Sequence, residues 1–265
     1  AASDVYKRQA CHMVWGGGFL GNAGVIDFAG GLVVHTTCGV GALVAAIMLG
    51  NRKGFPGNPM PPHNRTMVMI GACMLWVGWF GFNAGSAVAA DSSASMAMLV
   101  THISAAVGAL TWMSIEWVKQ GKATMIGIAT GMVAGLATIT PAAGSVGPAG
   151  ALLIGVMAGY ICFYATQAIK GYFYIDDSLD VFPVHGVGGM LGIVMISFLG
   201  SPDGFLGTGA AGIAEGGVLV QLKAQLIGIT VIAAWTGLAT YLIIRAISFF
   251  TDIRVSEDVE AEGVD

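Results

Sequence analysis

The chain is laid out as long apolar blocks separated by short polar breaks. A helix needs about 20 mostly apolar residues to cross a bilayer. Seven blocks reach or approach that length: 26–50, 66–90, 96–118, 124–140, 148–169, 182–199 and 222–250. The fourth and sixth are short, and the seventh is long enough to tilt. Residues 10–19 read as the end of an earlier apolar segment. Asn-, Gly- and Pro-rich runs, as at 51–64 and 141–147, punctuate the blocks. The pattern predicts an all-α polytopic membrane protein.

Charge placement adds an orientation. Arg52, Lys53 and Arg65 fall between blocks one and two, Lys119 and Lys122 between three and four, Lys170 after five, and Arg254 after seven. These are alternate loops, so they share one side, and the positive-inside rule makes that side cytoplasmic. The remaining loops hold the acids Asp91, Asp203 and Glu215. Lys223, at the edge of block seven, runs against the trend. The pattern predicts a multi-pass protein of the plasma or inner membrane. Residues 10–250 form its membrane domain, and the acidic tail at 251–265 lies on the cytoplasmic side. Residues 1–9 are polar, have no apolar core of a signal peptide and no starting methionine. They read as a non-native scar on a truncated chain.

Composition agrees. Of the 265 residues, 55% are hydrophobic and 10% charged, against about a quarter charged in soluble domains. The 41 glycines suit close helix packing in lipid. The eleven Lys and Arg are scattered, which excludes a nucleic-acid surface. Cys11, Cys38, Cys73 and Cys162 form no C-x-x-C and read as small packing residues.

An internal repeat stands out. Asp27 is followed by His35 and then Gly39; Asp177 is followed at the same offsets by His185 and Gly189. Val34 and Val184 precede the histidines. The motifs lie on blocks one and six, which start on opposite sides. Two-fold pseudosymmetry would bring the histidines together near mid-membrane. With five helices per repeat, block one is the last helix of a first repeat whose start is missing.

Ionisable groups inside a membrane segment point to function. A bare cation in a low-dielectric interior costs tens of kcal/mol by Born estimates. Ammonium avoids that by losing a proton, and imidazole, with a reference pKa of about 6.5, exchanges protons near neutrality. Recruiting ammonium calls for aromatic faces and hydroxyl acceptors, which Trp15, Trp79, Phe82 and Ser86 supply. Asp27 adds negative potential and can cap backbone N–H groups. His12 and His102 read as packing groups, and His63 lies in a polar loop.

These residues resemble a known family. The runs HMVWGGGF (12–19), DFAGGLVVH (27–35), WFGFNAGSA (79–87) and DDSLDVFPVHGVGG (176–189) are similar to signatures of the Amt/MEP/Rh ammonium transporters. The resemblance covers residues 10–265, roughly the fifth to eleventh helices. It implies an eleven-helix fold with inverted five-helix repeats, an N-terminal part missing here, and a homotrimer with one pore per subunit. It implies no enzyme activity, no cofactor and no metal. His35 and His185 match the twin pore histidines and proton relay. Trp15 and Ser86 match the outer recruitment site, and Phe82 matches one of two gating phenylalanines. Trp79 and Thr140 match the pore lining, while Asp27, Asp177 and Asp180 match supporting aspartates. The tail stops near where a PII-type signalling protein would dock in such proteins.

Three other readings compete. One is an ammonium sensor that reports binding instead of moving substrate. Another is a non-functional truncated homologue. The last is a metal protein using His35, Cys38 and His185.

Overall fold

The computed structural model describes residues 2–58, 60–200 and 217–263. Asp203 and Glu215, used above for orientation, lie outside the described residues. The described elements are all helical: α1 (Ala2–Val14), the short α2 (Phe19–Asn22), α3 (Gly31–Leu49), α4 (Arg65–Gly85), α5 (Ser92–Gln120), α6 (Met125–Ala142), α7 (Pro148–Tyr172), α8 (Phe182–Leu199), α9 (Val218–Ser248) and α10 (Glu257–Glu262). Seven of them, α3 to α9, are long and apolar enough to cross a membrane.

The starts of these helices are written in single polar residues. Asn64 accepts from the Met67 N–H, Asp91 from Ser93 and Ala94, and Thr124 from Gly127. Each satisfies backbone donors left over in a first turn. Pro148 opens α7, where its missing N–H costs nothing. Gly121 ends α5 in the left-handed region. Block one begins as helix five residues later than its apolar run, at Gly31, because residues 26–30 are non-helical and Asp27 caps from within them.

In lipid, apolar surface alone does not drive helices together, so close packing and internal hydrogen bonds must. The tightest block is α5, α6 and α7. Gly131 and Gly135 of α6 press on Gly108 and Ser104 of α5, and Gly155 and Gly159 of α7 face Val107 and Thr111. A Cβ at any of these glycines would strike the neighbour. Buried Glu116 accepts from the Thr124 N–H at 2.7 Å and from its hydroxyl, clamping the α5–α6 turn. On the other flank, buried Gln225 of α9 accepts from the Ile26 N–H and donates to the carbonyls of Ile26 and Ile193.

Three of the basic segments lie at one end of the bundle. Arg52, after α3, makes a two-pronged pair with Asp176, both contacts 2.7 Å. Lys170 reaches Asp180 at 2.7 Å. Arg254, after α9, donates to the carbonyls of Leu49 and Asn51 and pairs with Glu260. Glu260 also accepts from the Lys53 N–H. The acidic tail thus carries α10 and folds back on the α3 end. At the other terminus, α1 starts inside the stretch set aside as a scar. Tyr6 is buried with its hydroxyl against Gly41, while Lys7, Arg8 and Gln9 are exposed.

Candidate functional site

Two wide turns hold the site. Residues Gly31–Thr36 of α3 and Phe182–Gly186 of α8 are π-helical, and each contains one motif histidine. Such turns reposition one side chain within an otherwise regular helix and recur at functional sites. The carboxylate of Asp27 caps the first: Oδ1 accepts from Gly30 and Gly31 at 2.9 and 2.6 Å, Oδ2 from Leu32 and Val33 at 2.8 and 3.2 Å. Asp177 does the corresponding job on α8, accepting from the Phe182 N–H at 2.7 Å. Leu32 and Phe182 stand at the same offset from their aspartates, so the repeat is one of capping as well as sequence.

The motif glycines explain the rest of the spacing. A Cβ at Gly39 would strike Gly186, in the turn of His185; a Cβ at Gly189 would meet the Gly31 carbonyl and the Cβ of His35. Each helix therefore leaves room, one turn past its own histidine, for the histidine turn of the other.

The result is direct contact. His35 Nδ1 and His185 Nδ1 lie 3.1 Å apart, with ring centroids at 5.2 Å. A single hydrogen fits between two nitrogens, so one ring donates and the other accepts. The donor ring then exposes a bare Nε2 acceptor, and the acceptor ring carries its hydrogen on Nε2. His35 is 2% exposed and its Nε2 has no protein partner.

Trp79 forms a backing plate. Its ring stacks on His35 at 5.4 Å and 14°, and its Nε1 donates to Thr140 Oγ1 at 2.8 Å. Thr140 in turn donates to the Leu136 carbonyl, so it is both a helix-end hydroxyl and a site residue. Phe82 leans over the pair, 6.1 Å from His35 and 5.6 Å from Trp79. Both histidines, Val34, Leu75, Trp79 and Phe82 line one cavity of about 610 Å³.

The other predicted residues sit apart from this cluster. Trp15 donates from Nε1 to the Asp27 carbonyl at 2.7 Å, which ties it to the α3 cap. Ser86 donates to the Phe82 carbonyl one turn back. Asp180 pairs with Lys170 at the opposite end of the bundle. His102 packs beside Trp76 and Phe80. Sequence reasoning missed Glu116, Asn83, which donates to Thr101, and Gln225. A polar or acidic residue inside an apolar block was the available signal. It also read all four cysteines as packing groups, whereas Cys38 and Cys73 are exposed. Among the described residues no three His, Cys, Asp or Glu gather as a metal site.

A family model described as Ammonium Transporter Family matches residues 3–265. The chain is 44% identical over 255 residues to ammonium transporter Amt1 of Archaeoglobus fulgidus, covering 96% of this chain and 63% of that one. It is 40% identical over 264 residues to an ammonium transporter of Bacillus subtilis, covering 100% and 64%. Among solved structures, a sensor Amt protein superposes with a TM-score of 0.89 at 29% identity, covering 96% and 64%. Candida albicans Mep2 gives 0.85 at 34%, covering 96% and 58%. The chain thus spans less than two thirds of the length of these relatives. With a matched model over nearly its whole length and a bundle of apolar spanning helices around paired histidines, the chain is a multi-pass membrane protein that belongs to the ammonium transporter family.

Proposed function

We propose that this chain is the pore-histidine part of a transporter that passes ammonium or ammonia across the plasma or inner membrane. The observation that carries the reading is the 3.1 Å contact of His35 and His185 on matched capped turns beside an apolar cavity. An ammonium ion entering such a cavity loses its hydration and meets no carboxylate. It sheds a proton to a bare imidazole nitrogen, and the shared hydrogen between the rings lets the pair relay it. Neutral ammonia then crosses the apolar stretch. Potassium has no proton to lose and keeps the full desolvation cost.

The remaining roles follow. Trp79, Phe82 and Thr140 hold and shield the pair. Trp15 and Ser86 recruit the cation at the outer mouth, by a ring face and a hydroxyl acceptor. Asp27, Asp177 and Asp180 support the frame. The matched capping and reciprocal glycines support two inverted five-helix repeats, of which this chain holds the second and the end of the first. A homotrimer is the expected assembly, and the end carrying Arg52 and Arg254 is the cytoplasmic face where a PII-type protein would dock.

The likeness to a sensor Amt protein keeps a sensing role as the second reading. Uptake separates the two. The chain would be joined to the amino-terminal segment of its Archaeoglobus relative and placed in vesicles. Saturable uptake of labelled methylammonium, competed by ammonium, is the expected result. His35→Ala and His185→Ala should then alter selectivity or pH dependence. A folded protein that binds but moves no methylammonium would favour the sensor.

A further inference from the structure

Lys223, the cation that runs against the charge trend of the loops, has a counterpart at the far end of its own helix. Lys223 and Arg245 are both exposed and stand 22 residues apart on α9. At about 1.5 Å per residue that is about 33 Å, close to the roughly 30 Å hydrocarbon thickness of a bilayer. At about 100° per residue the two lie within about 40° of each other around the helix. They therefore close the two ends of one stripe. Between them Leu226, Ile227, Thr230, Leu238 and Tyr241 are exposed at helical spacing. The Thr230 hydroxyl donates to the Leu226 carbonyl of its own helix. A groove of about 440 Å³ opens beside Lys223 along Leu219, Leu226 and Thr230.

Among the described residues no carboxylate pairs with either cation. The Arg245 guanidinium lies over the Phe249 ring, 5.6 Å from its centroid, a contact that uses the charge and none of the N–H donors. Its place in the last turn of α9 suits the negative helix end and also leaves those donors unspent. Phe249 and Phe250 beside it are 77% and 90% exposed, as rings seated at a lipid–water boundary are. The two faces of α9 differ in what they can meet. Helices meet in lipid through small residues and buried polar pairs. That fits the inner face, where Gln225, Gly228 and Thr236 are buried, and not the bulky stripe. We infer that the stripe seats phospholipid: acyl chains lie along Leu226, Ile227 and Leu238, and phosphates of the two leaflets pair with Arg245 and Lys223. The Arg245 fork matches two phosphate oxygens, whereas Lys223 is a point charge on a stem that snorkels to the surface, so Arg245 holds the tighter lipid. With no carboxylate beside either cation, the preferred headgroup is anionic, as in phosphatidylglycerol.

The seat needs only α9 and lipid, so it stands or falls independently of transport. The delipidated chain in neutral detergent would be titrated with phosphatidylglycerol and, separately, with phosphatidylcholine of the same acyl chains. Native mass spectrometry counts the lipids bound per chain. The wild type should hold phosphatidylglycerol more tightly than phosphatidylcholine. Arg245→Gln should weaken the tightest phosphatidylglycerol step about fivefold, and Lys223→Gln the next step by a similar factor. Lys122→Gln removes an equal charge from the exposed α5–α6 turn and should change neither. Circular dichroism checks each fold, and Arg245→Lys should keep most of the affinity, so that a loss in Arg245→Gln reports charge and not folding. Wild-type binding in both Gln variants, the same loss in Lys122→Gln, or equal binding of the two lipids by the wild type would overturn the seat. So would oligomers that exclude phosphatidylglycerol and come apart in Leu226→Ala, because the stripe would then belong to a second copy of the chain.

Discussion

Four backbone N–H groups open α3 in the interior, where no water can take their hydrogen bonds. Asp27 accepts all four, two on each oxygen. Asp27→Asn keeps the shape but replaces one oxygen with an NH₂ that would face two donors. Bonds to a charged acceptor are worth roughly 1.5–3 kcal/mol each and orphaned donors cost further. The substitution should therefore lower the melting temperature in detergent clearly, with a loss on the order of 3 kcal/mol. An unchanged melt would show that the cap is dispensable. Trp79 poses a smaller case. Trp79→Phe removes the indole N–H and leaves Thr140 Oγ1 without its donor, but Thr140 still bonds the Leu136 carbonyl. The cost should be about 1 kcal/mol. In Thr140→Val the Trp79→Phe change should cost measurably less, which a double-mutant cycle reads directly.

At the scale of elements, the motif glycines decide whether α3 and α8 can approach. Ala at Gly39 would collide with the Gly186 backbone, and Ala at Gly189 with the Gly31 carbonyl and the His35 Cβ. Backbone cannot swing aside as a long side chain can, so each change should cost roughly 1–3 kcal/mol and part the histidines. Gly237→Ala is the control: its Cβ would meet Val40 at an ordinary 3.7 Å. There the change should be neutral or slightly stabilising, since Ala favours helix. Thermal melts of the three variants check the contrast. The same glycines show what the sequence made legible. The spans were readable because lipid demands long apolar helices, and the α8 bounds at 182–199 were read without error. The histidine pairing was readable because a repeat with reversed polarity leaves few other ways to place two ionisable groups. The π turns were not, since nothing in the apolar pattern distinguishes a turn closed at i+5 from one closed at i+4. Nor was the Trp79–Thr140 bond, which joins residues 61 apart whose meeting depends on the packing of α4 on α6. Glu116 and Gln225 were visible as polar residues in apolar blocks, but the backbone groups they bond, the Thr124 N–H and the Ile26 and Ile193 carbonyls, carry no sequence signal.

For the molecule as a whole, the end that gathers the basic loops should respond to acid. Arg52 and Asp176 hold two of its segments in register: the Arg52 N–H and guanidinium both reach Asp176, and Asn51 bonds the Tyr174 carbonyl beside it. The hydrogen-bonded Arg52 guanidinium holds the Asp176 carboxyl below its ordinary value, while partial burial works against it. A carboxylate depressed in the folded state adds stability that is fully present above its unfolded value, about 3.9. That stability is lost as pH falls through the lower folded value. The Arg52 side chain is 42% exposed, so solvent screening limits the pair to about 1 kcal/mol or less. Acidification below about pH 4 should therefore loosen the segment 50–58 and the docked tail before the helices melt. The tail should follow because Arg254 anchors it on the carbonyls of Leu49 and Asn51, next in sequence to Arg52. Hydrogen exchange on residues 50–58 and 254–262, measured from pH 6 down to 3, reads this. Asp176→Asn should raise exchange in both segments already at pH 6 and flatten the pH response. If exchange in the tail stays unchanged while the loop opens, the two are held separately, and Glu260 on the Lys53 N–H and Arg254 is a sufficient anchor by itself.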